Sequence, residues 1–389
     1  MAINRGIYLL GLIGFILSYT LAQQTFIGWA WPWVFMTLSC VLYALAYNDQ
    51  QLVRLAVSSL CVSFVISSPF LFFNLSENYF PLKNMLFISA FPVLFYIAHA
   101  FHSAGHQENS FRMPYAGLFA AVWNTVPLIL SAMIFSQIGA LLIFLSVMAF
   151  QTVGFELFYQ LYHSKHFLFI SNGTLFFIGL AVAQQNTNII YNMRFLLLRM
   201  MYLLYPFLAL VSTIFCAIYL VRVIQSGGAL PSGSYSVVYG SLTALITLTT
   251  LGILFFNATF QDGKTESGYA TSTIRLLKIY RIALFIMSVL MFRAIFQLYP
   301  LDPNANMIII CLAPVLYCLV YALSAFRSPE HEKSLIITGN VGISLLFALS
   351  LLIINNPFSF GHYRTFLTTP PTLGESQNMP ASNPNPQRE

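Results

Sequence analysis

The sequence predicts an all-α, polytopic transmembrane helical bundle with 11–12 apolar segments and no soluble domain. Three observations predict it. Of 389 residues, 58% are hydrophobic and only 7% are charged, whereas a soluble domain carries about 25% charged residues. Twelve apolar runs punctuate the chain, most close to the about 20 residues that a helix needs to cross a hydrocarbon core of about 30 Å. Between them lie short polar connections such as Gln23-Gln24 and Asp302-Pro303-Asn304, and the longest covers residues 258–281. These features exclude a soluble enzyme, a disordered chain and a nucleic-acid binder. An outer-membrane barrel is excluded as well, because its strands alternate apolar and polar residues.

The expected spans in the first half are 6–22, 27–46, 55–73, 84–101, 115–135 and 137–162. Those in the second half are 167–183, 201–222, 236–257, 282–299, 306–326 and 335–354. The first follows Arg5 and ends at Thr20-Leu21-Ala22, which has the three regions of a signal peptide. With eleven further runs behind it, it is read as an uncleaved anchor. The second opens on Trp29, Trp31 and Trp33, an interfacial aromatic anchor. Pro32, Pro69, Pro92, Pro127, Pro206 and Pro314 fall within spans, where each removes a backbone donor. Cys40, Cys61, Cys216, Cys311 and Cys318 all lie in apolar runs and read as packing residues rather than a disulfide framework. Residues 1–355 form the expected helical domain. Residues 356–389 hold six of the eighteen prolines and read as a disordered Pro-rich tail.

Loop Lys and Arg residues concentrate on the cytoplasmic side of membrane proteins. Twelve crossings divide the countable cations seven to nine, which is no bias. If segment 167–183 does not cross, twelve lie inside and four outside. Ser171-Asn172-Gly173-Thr174 interrupts that segment early, so it is expected to be re-entrant or interfacial. Eleven crossings, with the N-terminus cytoplasmic and the C-terminus outside, follow. Arg275, Lys278 and Arg281 share one helical face and read as an interfacial helix on anionic headgroups.

Two features could carry chemistry. His99, His102 and His106 share a helical face at i, i+3 and i+7, and His163 and His166 fall on the same membrane side in this topology. Histidine is the commonest metal ligand and a proton relay near neutral pH. The sharp reading is therefore a divalent metal site or a proton-linked switch; the plain reading is amphipathic histidines at an interface. No His-Glu-x-x-His motif supports the metal. The second feature is charge inside spans. Glu156 in run 137–162 and Arg293 in 282–299 are expensive there and thereby candidates for function. A structural ion pair or snorkelling is the plain alternative. In the eleven-crossing topology the two lie at different depths and do not meet. Gln184-Gln185-Asn186-Thr187-Asn188 reads as a connector that could line a vestibule. The sequons at Asn74, Asn172 and Asn257 are read as chance matches.

Two stretches resemble an uncharacterised family of bacterial multi-span membrane proteins, a domain of unknown function. In the first, Tyr219, Arg222 and the loop with Leu230-Pro231 are similar to that family's span ending in a tyrosine, a basic residue and Leu-Pro. In the second, Arg293, Gln297, Tyr299 and Pro303 are similar to its Arg-Ile-x-Gln-Tyr-Gly-Leu-Thr-Pro segment, without the Gly and Thr. The resemblance covers residues 201–326. It implies a bacterial cytoplasmic (inner) membrane and no particular activity.

Three function classes remain. A small-molecule or ion transporter would use the kinked helices and buried polar groups. A membrane-embedded metal-dependent enzyme acting on lipid would use the histidines and Glu156. A non-catalytic assembly or scaffold subunit would need none of them. Membrane lipids are the expected partners. The sequence contains no phosphate-binding loop, nucleophile elbow or dinucleotide-binding glycine pattern.

Overall fold

The structure is a computed structural model. It describes residues 5–23, 30–47, 51–72, 82–107, 113–154, 156–227, 235–261, 268–298 and 304–356. Among them are twelve α-helices, one 3₁₀ turn and no strand. In chain order they are α1 (Arg5–Ala22), α2 (Trp31–Leu45), α3 (Leu52–Ser67) with the 3₁₀ turn Ser68–Phe72, α4 (Leu82–Gln107), α5 (Tyr115–Thr152) and α6 (Leu157–His163). Then follow α7 (Lys165–Gln185), α8 (Thr187–Gln225), α9 (Tyr235–Phe260), α10 (Thr271–Leu298), α11 (Ala305–Ser324) and α12 (Pro329–Asn355). Ten of these are long and apolar enough to cross a membrane; α2, with 15 residues, is shorter.

The packing explains why so little charge suffices. Outward-facing side chains are large and apolar; along α8, Phe195, Leu196, Leu203 and Phe207 are each about 60% exposed or more. Such a belt would aggregate in water and is stable against lipid. The chain is a multi-pass integral membrane protein. Inside, one core gathers Leu10, Leu17, Leu128, Ala132, Phe177 and Leu180 from α1, α5 and α7. A second gathers Tyr205, Cys216, Leu245, Tyr280, Met287 and Tyr321 from α8 to α11. Contacts of α4 with α12, including Phe87 and Leu94 against Phe347 and Leu351, bridge the two.

Two expectations are corrected. The runs 115–135 and 137–162 are not two spans: α5 is one helix of 38 residues, about 57 Å long. Ser136, expected to separate them, donates to the Asn172 carbonyl at 3.1 Å and so costs the helix little. Helix α5 ends instead at Gly154, whose φ of +80° suits glycine.

Segment 167–183 is not interrupted at Ser171-Asn172-Gly173-Thr174. It lies within α7, a helix of 21 residues and about 31 Å. The hydroxyls of Ser171 and Thr174 donate back to the carbonyls of Leu168 and Ile170. Gly173 marks a close approach: a Cβ there would collide with the Ser18 hydroxyl of α1. A Cβ on Gly179 would fall 2.9 Å from the Ala132 Cα of α5. Small residues wedge α7 between α1 and α5, as in close-packed membrane helices.

The basic stretch Arg275-Lys278-Arg281, read as an interfacial helix leading into the next span, is continuous with that span. It forms the first turns of α10, and Arg281 turns inward to Glu332 of α12 at 2.6 Å and to Ser324 of α11 at 3.1 Å. The proposed tail lies outside the described residues from 357 onward, as do Trp29, Asn74 and Glu108.

Candidate functional site

Five helix ends meet at one end of the bundle. They are the C-terminal ends of α2, α4 and α7 and the N-terminal portions of α5 and α8. Between them lies a cavity of about 670 Å³, within the size range of small-molecule sites. Its lining is polar for so apolar a chain, with His99, Ser103, His106, Asn124, Gln184 and Arg194 among its residues.

The helical face expected for α4 delivers the three histidines, and all three are buried. They do not converge. His99 reaches α5, with Nε2 at 3.0 Å from the Thr125 hydroxyl. That hydroxyl already donates to the Ala121 carbonyl at 2.7 Å, so it must accept from His99 Nε2–H. The neutral ring therefore keeps its lone pair on Nδ1, which is buried and meets no protein partner. His102 reaches the other way, to Ser58 on α3 at 3.0 Å. Ser58 donates to the Leu55 carbonyl at 3.0 Å, and the Ser59 hydroxyl lies 3.5 Å from the same His102 nitrogen. His106 lines the cavity with Nε2 unpartnered and Arg54 within electrostatic reach.

The neighbouring helices complete the lining. Gln184, near the end of α7, donates its amide to the Ala44 and Leu45 carbonyls at 2.6 and 3.1 Å, satisfying orphan carbonyls at the end of α2. Both acceptors demand the NH₂ group, so the amide cannot be flipped. Its Oε1 is thereby left buried without a protein partner. Arg194 on α8 donates to Asn124 Oδ1 at 3.0 Å and stacks over Tyr191 at 5.1 Å from the ring centroid. No carboxylate is among the described lining residues. Among the described lining residues the cavity has one permanent cation, Arg194, beside side chains that carry buried, unpartnered acceptors.

The other candidates lie elsewhere. No group of three His, Cys, Asp or Glu side chains among the described residues could hold a metal ion. His99, His102 and His106 form no such group: facing one side of a helix does not make the rings point at one centre. His163 and His166 are exposed and near the far end of α5, so the single long helix separates them from the first group. His163 Nδ1 is satisfied by the Tyr159 carbonyl at 2.8 Å. Glu156 is not inside a helical span; it is the exposed residue preceding α6. Arg293 remains within α10 and is exposed on its flank. Helices α5 and α6 pack on α4, α7 and α8, whereas α10 packs on α8, α9 and α11; Glu156 and Arg293 are not brought together.

A second polar cluster joins α5, α9, α11 and α12. Asn340 Nδ2 donates to Tyr115 at 2.9 Å and to Asn257 Oδ1 at 2.7 Å. Its Oδ1 accepts from Tyr321 at 2.9 Å, and Asn257 donates to the same Tyr321 oxygen at 2.8 Å. Asn257 thus serves packing rather than a sequon.

Fold and cavity define a multi-pass helical membrane protein with a polar pocket at one end of its bundle. The chain matches no known protein family, no curated protein and no solved structure.

Proposed function

We propose that the protein is a permease-like carrier of a small polar solute, with this cavity as the solute vestibule. The observation that carries the reading is a pocket of about 670 Å³ lined by His, Gln, Asn, Ser and Arg side chains in a chain with 7% charged residues. Unpartnered polar groups are costly in a membrane bundle and mark solute pathways. The metal-dependent enzyme loses its two supports, since the histidines diverge and Glu156 stands apart. A scaffold subunit gives no reason for buried acceptors around a cavity.

The orientation follows by counting. With α5 crossing once, α7 crossing and α2 included, eleven crossings remain, and the N-terminus is cytoplasmic. Arg5, Arg54, Arg112, Arg194, Arg199, Lys264, Arg275, Lys278, Arg281, Arg327 and Lys333 then lie inside. Lys83, Lys165, Arg222, Arg364 and Arg388 lie outside. The cavity opens toward the cytoplasm. Lipid acyl chains are the partners of the apolar belt, and residence in a bacterial cytoplasmic membrane rests on the sequence resemblance.

The test is uptake of a panel of labelled metabolites into liposomes holding the purified chain. Saturable uptake is expected, and Thr187→Trp at the rim of the cavity is expected to abolish it without lowering the unfolding temperature. Uptake no greater than in empty liposomes for every solute would contradict the reading.

A further inference from the structure

We infer that the cavity binds a small carboxylate that also carries a hydrogen-bond donor, an amino or hydroxy acid. This rests on the vestibule reading and names its solute class. Two kinds of group belong to residues that line the space. Arg194 brings a guanidinium with five N–H donors in a planar fork, and its hydrogen bond to Asn124 uses one of them. That fork matches a carboxylate. On the acceptor side stand His99 Nδ1 and Gln184 Oε1, both buried without a protein partner. Neither can turn away. The His99 ring is pinned through Thr125, and the Gln184 amide is pinned by two carbonyls.

Each alternative ligand leaves part of this set unanswered. A plain anion satisfies Arg194 and leaves the acceptors bare, which costs desolvation at each buried group. A neutral polyol meets the acceptors and leaves the cation without a counter-charge. A metal ion would find two neutral ligands beside a positive charge. A molecule with a carboxylate at one end and an ammonium or hydroxyl nearby answers both. The space of about 670 Å³ admits side chains of several carbons.

The test uses the purified full chain in lipid nanodiscs and two matched sets of probes. One set is alanine, lactate, propionate and alaninol; the other is leucine, 2-hydroxyisocaproate, isocaproate and leucinol. Equilibrium binding is expected for an amino or hydroxy acid of at least one set, at least tenfold tighter than for the matched propionate or isocaproate and for the matched amino alcohol. Arg194→Gln is expected to lower that affinity tenfold or more, with Arg194→Lys between. His99→Phe is expected to reduce the donor-bearing acid to the level of its donor-free match; His99→Gln checks that loss against a misfolded pocket through an unchanged unfolding temperature. Asp49 and Glu108 belong to the segments after α2 and α4. Asp49→Asn and Glu108→Gln are expected to leave binding in place; loss in either would overturn the assignment to Arg194. Equal binding of the amino alcohols, equal binding of the donor-free acids, or no binding in either set would overturn the solute class. The carrier reading would stand in each case if the uptake panel still showed Thr187-dependent transport, and would fall with it if uptake were absent as well.

Discussion

The two polar clusters of this bundle use similar side chains to opposite ends. Around Asn340 every amide atom of the pair Asn340 and Asn257 that could strand a neighbour finds one: Tyr115, Tyr321 and the two amides answer each other. Around His99 the protein satisfies half of each group and leaves the other half without a protein partner, on residues that line a cavity, as with Nδ1 of His99 and Oε1 of Gln184. The Tyr205 and Tyr280 hydroxyls are buried too, but they lie in the second core, away from the residues that line the cavity. The lesson is that a buried polar residue in a membrane protein is not yet a site. A closed set of partners reads as structure; a pinned group with an unused face on a cavity reads as binding.

The comparison can be broken by substitution. The largest effect is expected at the closed cluster. Asn340→Leu strands Tyr115, Asn257 and Tyr321 at once and should cost about 2–3 kcal/mol, read as a lowered unfolding temperature, with the cavity's ligand affinity unchanged in the protein that folds. Next comes the packing seam of α7. Gly173→Leu meets the Ser18 hydroxyl and should cost about 2 kcal/mol, part of which Ser18→Gly should return. If Gly173→Leu were silent, α7 would not be wedged against α1. Glu332→Gln removes the partner of Arg281, whose side chains are 14% and 19% exposed. A loss of about 1–2 kcal/mol is expected, less than the cost for a fully buried pair. Arg194→Gln should change stability by less than about 1 kcal/mol while removing ligand-induced stabilisation. That split is the signature separating the open cluster from the closed one. Glu156→Gln and His163→Ala, both exposed, should shift stability by no more than about 0.5 kcal/mol and leave uptake intact.

The helical class was legible because apolar run length and charge scarcity report directly on the solvent. Span boundaries were less so. Ser136 and Ser171 to Thr174 looked like interruptions, but a hydroxyl bonded to a helical carbonyl and a glycine at a tight seam sit inside helices without ending them. Gly154, with its positive φ, was the true stop and lies inside an apolar run. The histidine face on α4 was visible from spacing, yet spacing cannot say that His99 leans on α5 and His102 on α3. The glutamines at 184 and 185 read as a connector that could line a vestibule; both line the cavity. Arg194 and Asn124 were missed as site residues, because their meeting requires α5 and α8 to be neighbours. Glu156 drew notice through its place in a run that turned out to end before it.

Accessibility of the cavity wall tests the central claim most directly. Ser103 is buried at 4% exposure, lines the cavity and differs from cysteine by one atom. In a chain whose five cysteines are replaced by alanine, Ser103→Cys should react with a small membrane-impermeant thiol reagent added from the cytoplasmic face, and bound solute should protect it. A thiol at position 103 that reacts from neither face while the protein is folded, yet reacts after denaturation, would show a closed interior and contradict the vestibule.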